Sequence, residues 1–174
     1  MGLNASTGAS AATAAVQAQI NKLIAEQPIK SNIDIAKDLA AAYHGYAQQA
    51  TLPGADCSAG GTLSLLEAAF ITDNSSNVPG NIAQGICDYW SSINTIGAPA
   101  HGGISVVSVA INGGAVFAAM LAAINGTITN TAVADAWLAF YQATEAVVKT
   151  IPCTITEMMP GSPPYPQAFA EVIG

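Results

Sequence analysis

Three stretches decide the fold: Ile35-Ala36-Lys37-Asp38-Leu39-Ala40-Ala41-Ala42-Tyr43, Ile82-Ala83-Gln84-Gly85-Ile86-Cys87-Asp88-Tyr89-Trp90 and Val133-Ala134-Asp135-Ala136-Trp137-Leu138-Ala139-Phe140-Tyr141. Each runs β-branched residue, alanine, two variable residues, large apolar residue, three variable residues, aromatic residue. Anchors at i, i+4 and i+8 fall on one face of an α-helix. The copies begin 47 and then 51 residues apart. Three amphipathic helices with the same buried face are therefore expected.

The match extends upstream. Leu23, Phe70 and Leu121 each stand 12 residues before an anchor. They belong to the apolar helical runs Val16–Glu26, Leu63–Ile71 and Val116–Ile124. Turn chemistry separates run from anchor in every copy: Pro28 with Ser31-Asn32, Asn74 to Pro79-Gly80, and Asn125-Gly126 with Asn130. Ser31, Asn81 and Asn130 or Thr131 are the expected N-caps of the second helices. The chain thus reads as three helix–turn–helix units. None of the consensus patterns of helical solenoids accompanies the period, so a closed bundle is favoured over a superhelix.

Two segments read as strands. Ile104–Ile111 is rich in Val and Ile. Thr150–Glu157 alternates, with Ile151, Cys153 and Ile155 on one face. They are expected to pair as a small ribbon, with the Pro152 strand at an edge because proline cannot donate to a ladder. The first unit ends in Leu52-Pro53-Gly54, without a strand. The fold class is mainly α: a compact helical bundle with a minor β-ribbon, an α+β arrangement being the alternative. Residues 1–157 form one domain, beginning with about ten small polar residues expected to be loose. Residues 158–174, with Pro160, Pro163, Pro164 and Pro166 among Tyr165 and Phe169, read as an extended arm lying on its own domain or on a neighbour.

Composition narrows the function. The 174 residues include 35 alanines and 16 glycines, and 51% of the chain is hydrophobic. Only 9% is charged, against roughly 25% in ordinary soluble domains. Eleven acids and four bases give a net charge of −7, and all four bases are lysines. Four scattered lysines cannot neutralise a row of phosphates, so nucleic-acid binding is not expected. High hydrophobicity with low charge is the opposite of the disordered signature. The first residues lack the basic and apolar regions of a secretory signal. Cys57, Cys87 and Cys153 are widely spaced and odd in number, which supports neither a disulfide framework nor a zinc site.

No Asp, Glu or Lys occurs from Tyr89 to Ala134, and Ile104–Ile124 is 21 residues long, enough to span a bilayer. Asn112-Gly113-Gly114 in its middle reads instead as a turn between a strand and a helix. A membrane-active protein with a span at 104–124 is thus the second reading, and no membrane association is expected.

Catalytic signatures are missing. His44 lies on a predicted helix and His101 in an Ala-Pro-Ala-His-Gly-Gly loop, so an enzyme built on His44 or His101 is the third reading. Asp34 and Asp38 sit on one helix face around Lys37, and Glu145 with Lys149 makes a favourable i, i+4 pair. No His-Glu-x-x-His, calcium-loop, Gly-Lys-Ser/Thr or Gly-x-Ser-x-Gly pattern occurs. No catalytic, cofactor-binding or metal-ligating residue is assigned, and neither a cofactor nor a small-molecule substrate is inferred.

Ala, Ser, Thr, Asn, Gln and Gly must therefore cover the exterior. Such surfaces form close contacts with little loss of side-chain entropy. The start Met-Gly-Leu-Asn-Ala-Ser-Thr, the segment Asp34-Ile-Ala-Lys-Asp-Leu-Ala-Ala-Ala-Tyr-His-Gly-Tyr-Ala and the uncharged Ala/Gly/Thr-rich body resemble small structural proteins of tailed-bacteriophage virions. The resemblance covers overall texture and the first two helices, and includes no diagnostic motif. It implies a non-enzymatic protein, made in the host cytoplasm and residing in the virion, in the head–tail connector, tail or capsid surface. Its partners would be further copies of itself and other virion proteins.

Overall fold

The computed structural model describes residues 2–25, 32–52, 55–71, 77–93, 106–111, 113–127, 133–158 and 166–174. Among the described residues six helices come in the three expected pairs: α1 (Ala5–Ile24) with α2 (Asn32–Ala47), α3 (Leu63–Phe70) with α4 (Val78–Ser91), and α5 (Gly113–Thr127) with α6 (Val133–Val148). Each helix packs against those before and after it in sequence, and α6 returns to pack against α1. The six therefore close a ring. The repeat produces neither an open solenoid nor three separate hairpins.

A six-helix ring leaves a wide centre, and long side chains from α2, α4 and α6 fill it. The terminal aromatics of the three repeat copies meet there. Tyr43, Trp90 and Tyr141 are each at most 1% exposed. The Trp90 Nε1–H donates to the Tyr43 hydroxyl at 3.1 Å, and the Tyr43 and Tyr141 ring centroids lie 5.8 Å apart. Tyr46, Tyr89 and Phe140 extend the cluster through edge-to-face contacts, a geometry that the ring quadrupoles favour. Ile86 is fully buried at the middle position of the second copy, whereas Leu39 and Trp137 are partly buried at theirs. Val133, first anchor of the third copy, is 45% exposed, so that copy uses its first position least.

Close helix contact is bought by small residues. On α1, a Cβ added at Gly8 would lie 2.3 Å from the Tyr141 ring, so glycine is what lets α1 close on α6. Ala5, Ala9 and Ala12 are buried along α1. This corrects the expectation of a loose N-terminus: the helix begins at Ala5, well before Val16, with Leu3 and these alanines in the core. Asn4 caps it, its Oδ1 accepting from the Thr7 N–H at 3.2 Å. At the start of α4, the Asn77 side chain accepts from Gly80 N–H and Pro79 occupies the first turn, whereas Thr62 before α3 makes no side-chain cap bond. The N-cap of α4 is thus Asn77 rather than Asn81. Ser31, Asn130 and Thr131 lie outside the described residues.

The strands depart further from expectation. A short hairpin, β1 (Thr51–Leu52) with β2 (Ala55–Asp56), follows α2, where no strand was expected. The predicted ribbon exists as β3 (Val106–Ile111) antiparallel to β4 (Pro152–Met158), with a register shift between Val106 and Ser108. Cys153 and Ile155, on the predicted inward face, are buried. A third strand, β5 (Pro166–Val172), pairs along the whole of β4, so β4 is central in the order β3-β4-β5. Pro152 does not force β4 to an edge because it is the first residue of the strand, one of the positions a sheet allows proline. The second half of the C-terminal segment is therefore β5, continued by buried Ile173; residues 159–165 lie outside the described residues.

The apolar stretch 104–124 is broken into β3 and α5 rather than forming one helix. Among the described residues no helix is long and apolar enough to cross a membrane. The described parts of the 104–124 stretch are divided between a strand and a helix and supply no single helix of spanning length.

Candidate functional site

His44 lies half-buried near the C-terminal end of α2, and its Nδ1 is 2.7 Å from the Tyr89 hydroxyl of α4. Gly60 closes over both rings with φ +67°, where a Cβ would come within 2.6 Å of His44 and 2.7 Å of the Tyr89 oxygen. Glycine suits that left-handed backbone, and its missing side chain admits the pair. Burial pushes the Tyr89 phenol up to about 12, so it stays a neutral hydroxyl. The arrangement ties α2, α4 and the loop before α3 together. Among the described residues, Tyr89 is the side chain hydrogen-bonded to His44, and no carboxylate or thiol joins the pair. His101 lies outside the described residues.

All three cysteines are buried, and none forms a disulfide. Cys87 donates to Met120 Sδ at 3.6 Å, and Cys153 to the Glu171 carbonyl at 3.3 Å. Burial raises both thiols to about 11, which keeps them protonated and poorly nucleophilic. Among the described residues no three His, Cys, Asp or Glu side chains gather as a metal site.

Charged groups serve the scaffold. Glu145 Oε2 accepts from the Ala5 N–H at 2.7 Å, and its other oxygen pairs with Lys149 as the i, i+4 spacing predicts. A carboxylate on the first N–H of α1 answers the helix dipole and ties α6 to α1. Asp38 accepts from Gln19 of α1, and Asp34 lies exposed in the first turn of α2.

Among the described residues, two clefts can be traced on the ring. One, about 520 Å³, runs between α1 and α6 and is lined by Ser6, Ala9, Ser10, Thr13, Ala14, Gln17, Ala134, Asp135 and Leu138. The other, about 780 Å³, lies where α1 begins and α2 ends, lined by residues 2–4, Thr7, residues 48–51 and Ser58. Sequence reading assigned neither, because their linings join distant, mostly neutral residues that carry no motif.

No family model, curated protein or solved structure matches the chain.

Proposed function

We propose that the chain is a non-enzymatic structural subunit of a tailed-bacteriophage particle, in its head–tail connector, tail or capsid surface, present there in many copies. One observation carries most of the support: the exposed faces of two of the six helices, α1 and α5, are uncharged over long distances. On α1 the exposed positions from Ser6 to Asn21 are Ser, Thr, Ala, Gln, Ile and Asn, without one charge. On α5 they are Gly114, Ala115, Ala118, Ala119, Ala122 and Asn125. A helix facing water normally carries charge on its polar side. Charge depletion is instead typical of surfaces that end buried in an interface. Ile24, 75% exposed, and Ile33, 48% exposed, add aliphatic surface on α1 and α2. The likeness in texture to virion proteins supplies the setting.

Native mass spectrometry of the purified chain tests the reading. Discrete oligomers, or incorporation into particles when the chain is co-expressed with portal and tail genes, are expected. A monomer that stays monomeric at high concentration and joins no particle would overturn it.

A further inference from the structure

We propose that His44, Tyr89 and the loop of residues 57–62 form an acid-sensitive latch: a neutral imidazole holds the loop on α4, and a protonated one lets it go. This goes beyond the assembly reading and does not depend on it.

The direction of the hydrogen bonds carries the argument. The hydroxyl of Tyr89, a wholly buried residue, is met from two sides. The Gly61 backbone N–H bonds to its oxygen, and His44 Nδ1 lies 2.7 Å away. A backbone N–H can only donate, so the hydroxyl accepts from Gly61 and has its own proton left for His44. Nδ1 must therefore accept, which makes the neutral ring the Nε2–H tautomer. A charged imidazole has no acceptor, because both of its nitrogens donate. Its Nδ1–H would turn on the hydroxyl oxygen and leave the Tyr89 proton buried without a partner. Ionising the phenol does not relieve the conflict, since burial has pushed it up to about 12.

The ring is hemmed in, and the loop is the part that can yield. A Cβ on Gly60 would come within 2.6 Å of the imidazole. The loop is held elsewhere by the Thr62 N–H on Ser92 Oγ at 2.7 Å and by Gln48 Nε2 on the Ser58 carbonyl at 2.8 Å. Among the described residues, Tyr89 is the titratable group that faces His44 from α4; its neighbour Asp88 is exposed and accepts from Gln84. The loop faces the ring with Gly60, and its Cys57 is buried near Cys153. One turn away on α2 stand Ala40 and Gln48, both neutral. No carboxylate in this set would hold a charged ring in place.

Amide hydrogen exchange and the His44 ring resonances, followed together by NMR from about pH 8 downward until the ring is charged, test the proposal; imidazoles change charge in this part of the scale. Protection factors of Gly61 and Thr62 should fall roughly tenfold or more as the ring protonates, the effect of stranding one buried donor. Those of the middle of α4 should stay constant. His44→Asn keeps an uncharged acceptor facing the hydroxyl and should keep the loop protected over the same range. Tyr89→Phe removes the acceptor of the Gly61 N–H and should leave that amide poorly protected at every pH. Should either variant fail to fold, the parent chain decides by itself, through the coincidence of the ring titration with the loss at Gly61 and Thr62. Protection that stays constant while the ring titrates, that falls equally in His44→Asn, or that is lost equally along α4 would overturn the latch.

Discussion

Trp90 donates its indole N–H to the hydroxyl of Tyr43 at 3.1 Å, and the two residues stand 47 positions apart, the spacing between the first two copies of the repeat. Equivalent positions of two helix pairs are thus joined by a hydrogen bond at the centre of the ring. Both side chains are wholly buried, so the bond is made where water cannot replace it. Tyr141, the third equivalent, stacks at a tilt against Tyr43. The repeat is therefore read out in three dimensions as three aromatic side chains converging on one point.

Tyr43→Phe keeps the ring and removes the acceptor, stranding the Trp90 N–H. It should destabilise by about 1–3 kcal/mol. Trp90→Phe also leaves a cavity and should lose about 2–4 kcal/mol. In urea unfolding of the single and double variants, the two losses should fall short of additivity by about 0.5–1.5 kcal/mol, the worth of the bond. Strict additivity would show that the contact contributes nothing.

Gly8→Ala tests the closure of α1 on α6. Alanine is the better helix former by about 1 kcal/mol. The added methyl would nevertheless meet the Tyr141 ring at 2.3 Å, and overpacking of this kind costs about 1–3 kcal/mol. The variant should melt lower than the parent, and Tyr141→Leu in the same chain should recover part of the loss. A higher melting temperature for Gly8→Ala alone would show that α1 shifts freely.

The parts legible in the sequence were those written in helical periodicity. Ile82, Ile86 and Trp90 repeat at four-residue intervals on one helix, and the same spacing recurs around Tyr43 and Tyr141, so the helix pairs could be counted before any packing was known. The alternation of Ile151, Cys153 and Ile155 likewise marked β4. Ring closure was not legible, because it depends on α1 meeting α6 across almost the whole chain, through alanines and Gly8 that look polar or neutral locally. Strand β5 was hidden by its prolines: Pro166 opens the strand, yet the Pro163-Pro164-Tyr165-Pro166 run reads as polyproline. The cleft escaped for a related reason. Asn4, Gln48 and Thr51 are ordinary neutral residues that only the fold brings together.

Alkali should unfold the protein as its tyrosines ionise. Burial raises the phenols of Tyr43, Tyr46, Tyr89 and Tyr141 above the ordinary value of 10.0. Below pH 10 both folded and unfolded chains keep these protons, and stability is unaffected by them. Above it the unfolded chain releases protons that the folded chain retains, so stability falls as pH rises. Tyrosinate absorbance should therefore grow together with loss of helical circular dichroism, in one transition. Full ionisation while the helices stay intact would show that the cluster is open to solvent.

Removing residues 166–174 should damage the fold rather than release a dispensable arm. Strand β5 is paired along all of β4, from Pro152↔Val172 to Met158↔Pro166. Without it β4 becomes an edge and loses every partner on that side. Ile173, 1% exposed, leaves the core, which removes roughly 2–5 kcal/mol of burial if it behaves like other large-to-small losses. The two backbone bonds between Thr51 and Gly174 go as well. Since whole domains are stable by only about 5–15 kcal/mol, the truncated chain should be expressed as aggregate or melt far below the parent. The single change Ile173→Ala should reproduce part of that loss with the strand still present. A truncated chain that melts with the parent would mean that β5 pairs only loosely with β4 in solution.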